Sequence, residues 1–345
     1  MPRSRIHLIG PAGSCRTFLQ RCGCETATAL CQLVDGWMGG AFEVTADEAL
    51  LLGEEDETRG GRSDDVARAR DIEAALGDDG VVALVTLRGG AWFTRVLPGI
   101  DFSVLDRRNM RVAVIGFSEL TTLVNIVGAH ANGVGIYDMG PAFLAYGLRH
   151  HALSHPEAVP AGATAEDWAV QRFLPELGSY FRDIAGILRR GETQRRVMAR
   201  WLRGRQTAGG TVRFTGGNLT VLSTLCGSRY DLCARPRGGW LMLEDYNDKV
   251  ERLDRFLAHL TLCGWWVACA GILLGDFHQG DRDLCREIAA LLEYHLPDRD
   301  LPILTTRDVG HIWPMAPLPL HVDVTFDLEG DGTYHIGWRA PALLP

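Results

Sequence analysis

Short apolar runs alternate with helical patterns through roughly the first 140 residues of the chain. Val81–Thr86 and Val112–Ile115 are continuous, largely β-branched runs, which are typical of parallel strands buried on both faces. Apolar residues at helical spacing predict a helix from about Asp65 to Ala75 and another from about Glu119 to Ala129. Arg5–Ile9 is a further short strand that precedes a helix. This alternation predicts a doubly wound α/β layer, in which binding sites lie at the carboxyl ends of the strands.

The pattern changes after residue 150. The segment from His150 to about Arg205 is helical and polar and predicts a connecting region. Short β-like runs then resume at a spacing that predicts a second, mixed α/β domain; they are Val212–Phe214, Trp240–Leu243, Trp265–Leu274, Ile303–Thr305 and Val322–Phe326. We therefore expect a domain over residues 1–150, a helical connection over 151–205 and a second domain over 206–345.

Composition and charge narrow the classes of protein. A chain of 345 residues is long enough for two domains. Apolar residues make up 46% and charged residues 23%, as in soluble globular proteins. The formal net charge is −8 and there is no block rich in Lys or Arg, so the electrostatic footprint of a nucleic-acid partner is missing.

The cysteines and the apolar segments bear on the cellular compartment. Nine cysteines include no C-x-x-C pair, and Cys226 and Cys233 stand seven apart, so we expect reduced, mostly buried thiols and no metal site. Such thiols favour the cytoplasm. The apolar run near the N-terminus is too short for a signal peptide. The apolar segment Leu257–Gly275 is interpreted as a helix end, a Gly264 cap and a buried strand, so no membrane contact is expected.

A candidate nucleophile follows the strand Val112–Ile115. Gly116, Phe117 and Ser118 lead from this strand into a predicted helix, which is the sequence form of a nucleophile elbow. The helix N-terminus favours negative charge, so the N–H of Glu119 is a candidate oxyanion donor. Leu120 replaces the second glycine of G-x-S-x-G, and a serine that only caps a helix is the alternative.

Other strand ends offer the partners that a nucleophilic serine needs. Gly90 follows the strand that ends at Leu87 and is a candidate second oxyanion donor, although a plain turn explains the glycines equally well. His311 lies in a loop after the strand Ile303–Thr305 and is a candidate base, and Glu244 ends an apolar strand and is a candidate acid. A surface histidine and a capping glutamate are the alternatives, and spacing alone does not select this trio.

Eight short blocks also occur in a fixed order along nearly the whole chain. They are Arg68–Ala74 with Val81, Arg88–Gly90, Gly116–Glu119, Gly140–Pro141, Gly216–Leu219 with Leu225, Gly227 and Ser228, Leu243–Asp245 with Asp254–Arg255, Gly271–Phe277, and Gly310–His311 with Pro319–Leu320. Together they resemble the serine peptidase family that contains bacterial L,D-carboxypeptidases (muramoyltetrapeptide carboxypeptidases) and microcin C immunity hydrolases. One block alone is weak evidence, but eight in order are strong.

The resemblance implies a Ser118–Glu244–His311 triad that uses no metal or cofactor. It implies a Rossmann-like (flavodoxin-like) parallel-sheet domain that carries the serine and a smaller mixed α/β domain that carries the acid and the base. The active site would lie between the two domains, and the family is usually homodimeric. Glu119 replaces the family's aspartate after the serine, which a main-chain oxyanion role tolerates.

The resemblance does not define the substrate, because residues 142–205 do not align with the family. We expect removal of terminal D-Ala from a murein tetrapeptide, with Arg88 binding the terminal carboxylate. The alternative within the same chemistry is a microcin-immunity-type hydrolase of peptidyl- or aminoacyl-nucleotide amides, with Trp168 or Tyr180 as a platform for the base. An alternative from another class is a non-catalytic nucleotide or sugar-phosphate binding module that uses the turn at residues 10–14.

Overall fold

The first sheet is parallel except for one strand. In the computed structural model, which describes residues 3–53, 64–193, 195–232, 239–280, 282–296 and 300–338, this sheet has six strands in the order β12-β5-β4-β3-β1-β2. The strands are β1 (Arg5–Ile9), β2 (Glu43–Ala46), β3 (Val81–Thr86), β4 (Val112–Gly116), β5 (Gly133–Tyr137) and β12 (Leu318–Leu320). Every residue of β3, β4 and β5 is buried, which explains why two of them read as continuous apolar runs.

The helices of the N-terminal half cover this sheet. They are α1 (Arg16–Arg21), α2 (Ala27–Trp37), α3 (Glu48–Leu52), α4 (Asp65–Gly77), α5 (Phe93–Val96), α6 (Thr121–Gly128), α7 (Leu144–Ser154) and α8 (Ala165–Arg190). The predicted helices before β3 and after β4 are α4 and α6. Thr164 and Asp167 form a capping box at the start of α8, and Gly191 ends it in the left-handed conformation. Because α8 packs against α7 and α2, it belongs to the outer layer of this half.

The second sheet is mixed and barrel-like. It has eight strands in the order β10-β9-β11-β6-β14-β13-β7-β8, and a further pairing of β8 with β9 closes it. The strands are β6 (Val197–Arg203), β7 (Gly209–Asn218), β8 (Gly239–Tyr246), β9 (Cys269–Gln279), β10 (Arg282–Asp283), β11 (Ile303–Thr306), β13 (Asp323–Leu328) and β14 (Thr333–Gly337). Its helices are α9 (Leu219–Leu225), α10 (Val250–Leu262) and α11 (Cys285–His295), which enclose a separate apolar core.

The predicted fold class is confirmed, with corrections to single elements. Residues Val197–Arg203 were expected in the helical connection, but they form a strand that pairs with β11 and β14. Trp265–Ala268 form a short 3₁₀ turn, so the buried strand predicted from Trp265 begins only at Cys269. β12 comes from the C-terminal half and completes the first sheet beside β5. The boundaries at residues 150 and 205 stay a prediction.

From the sequence we expected no membrane contact and reduced, mostly buried cysteines. Within the described ranges, none of the helices combines the length and the apolar character that crossing a bilayer requires. Of the nine cysteines, Cys233 lies outside the described residues. The others form no disulfide, and half of them are buried and half are partly exposed.

Candidate active site

Ser118 stands at the junction between strand β4 and helix α6. Its backbone is in the left-handed region, with φ of 58°, which costs a non-glycine residue about 1–3 kcal/mol. A 3₁₀ turn from Ser118 to Leu120 then leads into α6. Gly116 is required for a different reason than the expected sharp turn: a Cβ there would lie 2.2 Å from Thr86 Oγ1 on the neighbouring strand. Close strand packing therefore fixes the position from which the strained serine projects.

The structure brings Ser118, His311 and Glu244 together. His311 Nε2 lies 3.0 Å from Ser118 Oγ, and His311 Nδ1 lies 2.6 Å from Glu244 Oε2. An ionised carboxylate only accepts hydrogen bonds, so Nδ1 carries the proton and Nε2 is left to accept from the serine hydroxyl. Ser118 follows a strand of the first sheet, whereas Glu244 lies on β8 of the second and His311 in the loop after β11. The three side chains therefore meet between the two sheets.

Two further side chains hold the Glu244 carboxylate. Its Oε1 accepts the Tyr137 hydroxyl at 2.7 Å and the Asn218 amide at 3.2 Å. The same Tyr137 oxygen accepts the Ser118 N–H at 3.0 Å, so one hydroxyl joins the acid to the backbone of the serine. Glu244 and Tyr137 are both completely buried. Burial and the neighbouring carboxylate raise the pKa of Tyr137 well above its usual range, which keeps the phenol protonated as a donor.

The electrostatics of the buried pair favour an ionised acid and a basic imidazole. Burial acts to raise the pKa of Glu244, but His311 and the Tyr137 and Asn218 donors together lower it below its ordinary value. Burial acts to lower the pKa of His311, but the carboxylates of Glu244, Asp245 and Asp276 together outweigh it, so the pKa lies above its ordinary value. A carboxylate that stabilises a positive imidazole is what proton transfer from a serine requires.

A cavity of about 520 Å³ opens onto Ser118 and His311. It is lined by Ser14, Cys15, Thr17, Phe18, Arg21, Arg88, Gly89, Gly90, Phe117, Ser118, Ala142, Phe143, Tyr146, Tyr246 and His311. The rings of Tyr246 and Phe117 lie 4.9 and 4.8 Å from the His311 ring, centroid to centroid. These contacts fix the plane of the imidazole, and the cavity volume is in the range of small-molecule sites.

Comparison with known protein families decides the assignment. The model of the LD-carboxypeptidase N-terminal domain matches residues 6–138, and that of the LD-carboxypeptidase C-terminal domain matches residues 211–326. The chain belongs to the LD-carboxypeptidase family. It is therefore an enzyme of the serine peptidase type, and it resembles in particular proteins that process murein peptides.

Individual relatives of the chain agree with that assignment. A murein tetrapeptide carboxypeptidase from Pseudomonas aeruginosa is 30% identical over 227 residues, which are 66% of this chain and 64% of the relative. An MccF-like protein from Bacillus anthracis has a TM-score of 0.68 at 16% identity and covers 98% of both chains. A muramoyltetrapeptide carboxypeptidase from Oxalobacter formigenes has a TM-score of 0.63 at 18% identity and covers 99% of this chain and 100% of its own. At these identities the two solved structures show a common fold.

The glycine turn after β3 lies beside the serine and carries one of the expected oxyanion groups, Gly90. A Cβ at Gly89 would stand 3.3 Å from Ser118 Oγ and 3.7 Å from the Glu119 nitrogen, so the glycine turn after β3 packs directly against the serine. Gly90, with φ of +129°, lines the cavity. The Glu119 carboxyl accepts the Thr94 N–H at 3.4 Å, and burial raises its pKa to about 7. Which backbone N–H groups face an oxyanion stays a prediction.

The predicted substrate contacts have different outcomes. Arg88 lines the cavity and donates to the Ser14 carbonyl at 2.8 Å. Arg21 also lines it, at the end of α1, and was not expected from the sequence. Trp168 is not among the described residues of the lining. It is 8% exposed and packs against His151 and Trp313, because it lies on the face of α8 that is turned away from solvent. Tyr180 is likewise buried in α8 and contacts the Arg195 guanidinium.

The glycine turn at residues 10–14 does not have the chemistry of a phosphate site. Arg68 is only 1% exposed and donates to the carbonyl oxygens of Gly10 and Gly13. A phosphate cradle needs N–H groups that point toward the ligand, whereas these carbonyls already accept from a buried cation. The turn is better explained as packing between β1 and α4. Elsewhere, in the described part of the chain, one histidine and cysteine group is close enough to share a metal ion, and it lies at the end of α10.

Proposed function

We propose that this enzyme is a serine carboxypeptidase that hydrolyses the L,D-peptide bond before the terminal D-Ala of murein tetrapeptides. Ser118 is the nucleophile, His311 the base, and Glu244 the acid that orients the imidazole. The observation that carries the proposal is the pair of distances from His311 to Ser118 Oγ (3.0 Å) and to Glu244 (2.6 Å) at the end of an open cavity. The family and the Pseudomonas relative supply the substrate class.

The reaction follows from the contacts of these three side chains. His311 Nε2 takes the Ser118 proton while Oγ attacks the carbonyl carbon, and N–H groups at Glu119 and Gly90 receive the oxyanion. His311 then gives the proton to the leaving amine of D-Ala, which leaves an acyl-enzyme. His311 activates a water that hydrolyses this ester and restores the serine. General base catalysis contributes about 10²–10⁴-fold, and each oxyanion donor about 10²–10³-fold.

The charge of the cavity suits a substrate with a terminal carboxylate. Arg88 and Arg21 are the arginines among its described lining residues. Arg88 is partly buried and held by the Ser14 carbonyl, so little side-chain entropy is lost when it binds an anion. Guanidinium groups pair with carboxylates through two parallel hydrogen bonds. We therefore assign the carboxylate of D-Ala to Arg88, with Arg21 as a second cation.

The aromatic lining favours one second candidate, hydrolysis of a peptidyl- or aminoacyl-nucleotide amide. Phe143, Tyr146 and Tyr246 form one wall of the cavity, and their rings lie 5.3 to 6.4 Å apart. A nucleobase can stack on such a wall, which takes the place of the expected Trp168 platform. A microcin C7 self-immunity protein MccF of the same fold has been solved with aspartyl sulfamoyl adenosine.

Product analysis separates the two candidates. Purified protein is incubated with a murein tetrapeptide and, separately, with aspartyl sulfamoyl adenosine, and the released D-Ala or aspartate is quantified by mass spectrometry. We expect release of D-Ala by the wild type and none by Ser118→Ala. Cleavage of the nucleoside alone would replace the first candidate by the second. Failure of both, with no labelling of Ser118 by a fluorophosphonate, would refute the serine hydrolase mechanism.

We further propose, from the family resemblance, that the enzyme works as a cytoplasmic homodimer. Light scattering coupled to size-exclusion chromatography tests the oligomeric state, and fractionation of the producing cell tests the compartment. A monomer at micromolar concentration would contradict the first part.

A further inference from the structure

Two cysteines and a histidine come together away from the catalytic cavity. Cys226 caps the C-terminal end of α9, while His259 and Cys263 lie four residues apart at the end of α10. The two sulfur atoms and one ring nitrogen of this group lie within 4.8 Å of one another. Residues four apart share one face of a helix. Two helices therefore direct three possible metal ligands to one point, although no paired C-x-x-C spacing marks them in the sequence.

The distances fit a soft divalent ion after a small contraction. Tetrahedral zinc with Zn–S of about 2.3 Å and Zn–N of about 2.0–2.1 Å places its ligand atoms about 3.6–3.8 Å apart. The three atoms here need to approach by roughly 1 Å at most, which rotation of exposed or partly exposed side chains allows. Two thiolates also balance the charge of the ion, so binding leaves no net charge at the helix ends.

The surroundings allow entry of an ion from solvent. His259 is exposed, and Cys226 and Cys263 are each partly exposed. Cys226 Sγ lies 3.7 Å from the Leu222 carbonyl, a weak contact for a thiol proton that metal binding displaces. Three protein ligands leave a fourth position for water. A disulfide would involve only the two cysteines, so the imidazole of His259 beside them distinguishes this group from a disulfide-forming pair.

We propose that Cys226, His259 and Cys263 bind a soft divalent metal ion, with Zn²⁺ as the physiological candidate. The ion joins the end of α9 to the end of α10. These helices follow β7 and β8, whose carboxyl ends supply Asn218 and Glu244. Because both helices already pack in an apolar core, the ion adds stability to a formed domain and takes no part in the hydrolysis.

Metal titration of the full-length protein tests the site directly. The reduced, chelator-treated protein is titrated with Cd²⁺, which reports thiolate ligation by its ultraviolet charge-transfer absorption, and with Zn²⁺ in competition with a chromophoric chelator. We expect one equivalent of either ion. Removing a side chain that only orients a metal ligand weakens metal binding about 10–100-fold. Removing a ligand itself should cost at least as much, so Cys226→Ser, Cys263→Ser and His259→Ala should each weaken metal binding at least about tenfold. Cys269→Ser and Cys285→Ser change two other partly exposed cysteines of this domain and should leave the titration unchanged.

Alkylation of the wild type gives an answer that does not depend on the folding of variants. Iodoacetamide labelling followed by peptide mass spectrometry should show that Zn²⁺ protects Cys226 and Cys263 while the labelling of Cys269 is unchanged. Equal labelling with and without Zn²⁺ would overturn the proposal. A thiolate absorption that persists in the Cys226→Ser/Cys263→Ser double variant would also overturn it. So would a reduced protein that binds no metal but forms a disulfide in air, detected as a reversible loss of the mass of two hydrogens.

Discussion

Tyr137→Phe tests whether one buried hydroxyl holds the proposed catalytic acid, Glu244, in position relative to the Ser118 backbone. The hydroxyl donates to Glu244 at 2.7 Å and accepts from the Ser118 N–H at 3.0 Å, and both contacts are shielded from water. A hydrogen bond to a charged group contributes about 1.5–3 kcal/mol. If that energy is fully expressed in the transition state, kcat/KM falls about 10- to 150-fold, at 1.36 kcal/mol for each tenfold change. The ring itself is retained, so packing is conserved.

The pH profile distinguishes this role from a general loss of stability. The Tyr137 hydroxyl is one of the donors that lower the pKa of Glu244, so its removal leaves a less neutralised carboxylate beside His311. That carboxylate stabilises the imidazolium more strongly and raises the pKa of His311 further above its ordinary value. Since the proposed base, His311, can take a proton only when it is neutral, the acid limb of kcat/KM should move to higher pH.

The matched control is Tyr334→Phe. Tyr334 is 1% exposed and its hydroxyl donates to the Thr207 carbonyl at 2.8 Å, so the variant also loses one buried tyrosine hydroxyl, at a residue that is not among those described as lining the cavity. D-Ala release is measured from pH 5 to 9 for both variants, together with urea unfolding. An acid limb that is the same in Tyr137→Phe and Tyr334→Phe, with rates within about threefold, would refute the reasoning.

Three further predictions address the proposed nucleophile, the substrate carboxylate and the partly buried acid after the serine. Ser118→Ala should lower kcat by more than about 10³-fold while tetrapeptide binding, measured by calorimetry, persists; residual turnover above that level would contradict the nucleophile assignment. Arg88→Ala should raise KM for the tetrapeptide but not for the same peptide with a C-terminal amide, whereas an equal rise for both would exclude carboxylate binding. Burial raises the pKa of Glu119 from 4.5 to about 7, so the folded state holds this proton more tightly than the unfolded chain, and the wild type loses stability as pH rises through that interval. Glu119→Gln should therefore gain stability over the wild type in urea unfolding at pH 8 but not at pH 4, with its activity within a fewfold because its main-chain N–H is unchanged.

The hydrophobic pattern predicted the central strands well and missed one that matters for the site. β3 and β4 could be predicted from their continuous apolar runs, because each of their residues is buried. β5 was not predicted because Gly133 and Gly135 interrupt its apolar run. Those glycines are needed where α6 crosses the strand: a Cβ at Gly133 would lie 1.8 Å from the Val127 carbonyl oxygen. Tyr137 ends this strand, so missing the strand also concealed the residue that holds Glu244.

β6 was wrongly predicted as part of the helical connection, because its sequence is largely polar. Its side chains carry arginines and only Val197 and Ala199 are buried, so the segment has the polar character of an exposed helix. Its backbone nevertheless pairs on both sides, with β11 and β14. Hydrophobic patterning reports which side chains are buried, and a strand with a solvated face and few buried residues gives little signal of that kind.

The proposed catalytic trio was beyond pattern and spacing, because it depends on which strand ends meet. His311 lies 67 residues from Glu244 and 193 from Ser118 along the chain. The family blocks pointed to these three residues, and several glycines in the blocks mark points of contact around them. A Cβ at Gly217 would lie 2.6 Å from Thr121 Oγ1 and 2.8 Å from Tyr137 Cε2, and one at Gly310 would lie 3.3 Å from Glu244 Cβ. Asn218, which holds Glu244, can therefore approach the first sheet only because residue 217 has no side chain, and the loop that carries His311 can pack against β8 only because residue 310 has none. Sequence resemblance detects these constraints without showing their cause.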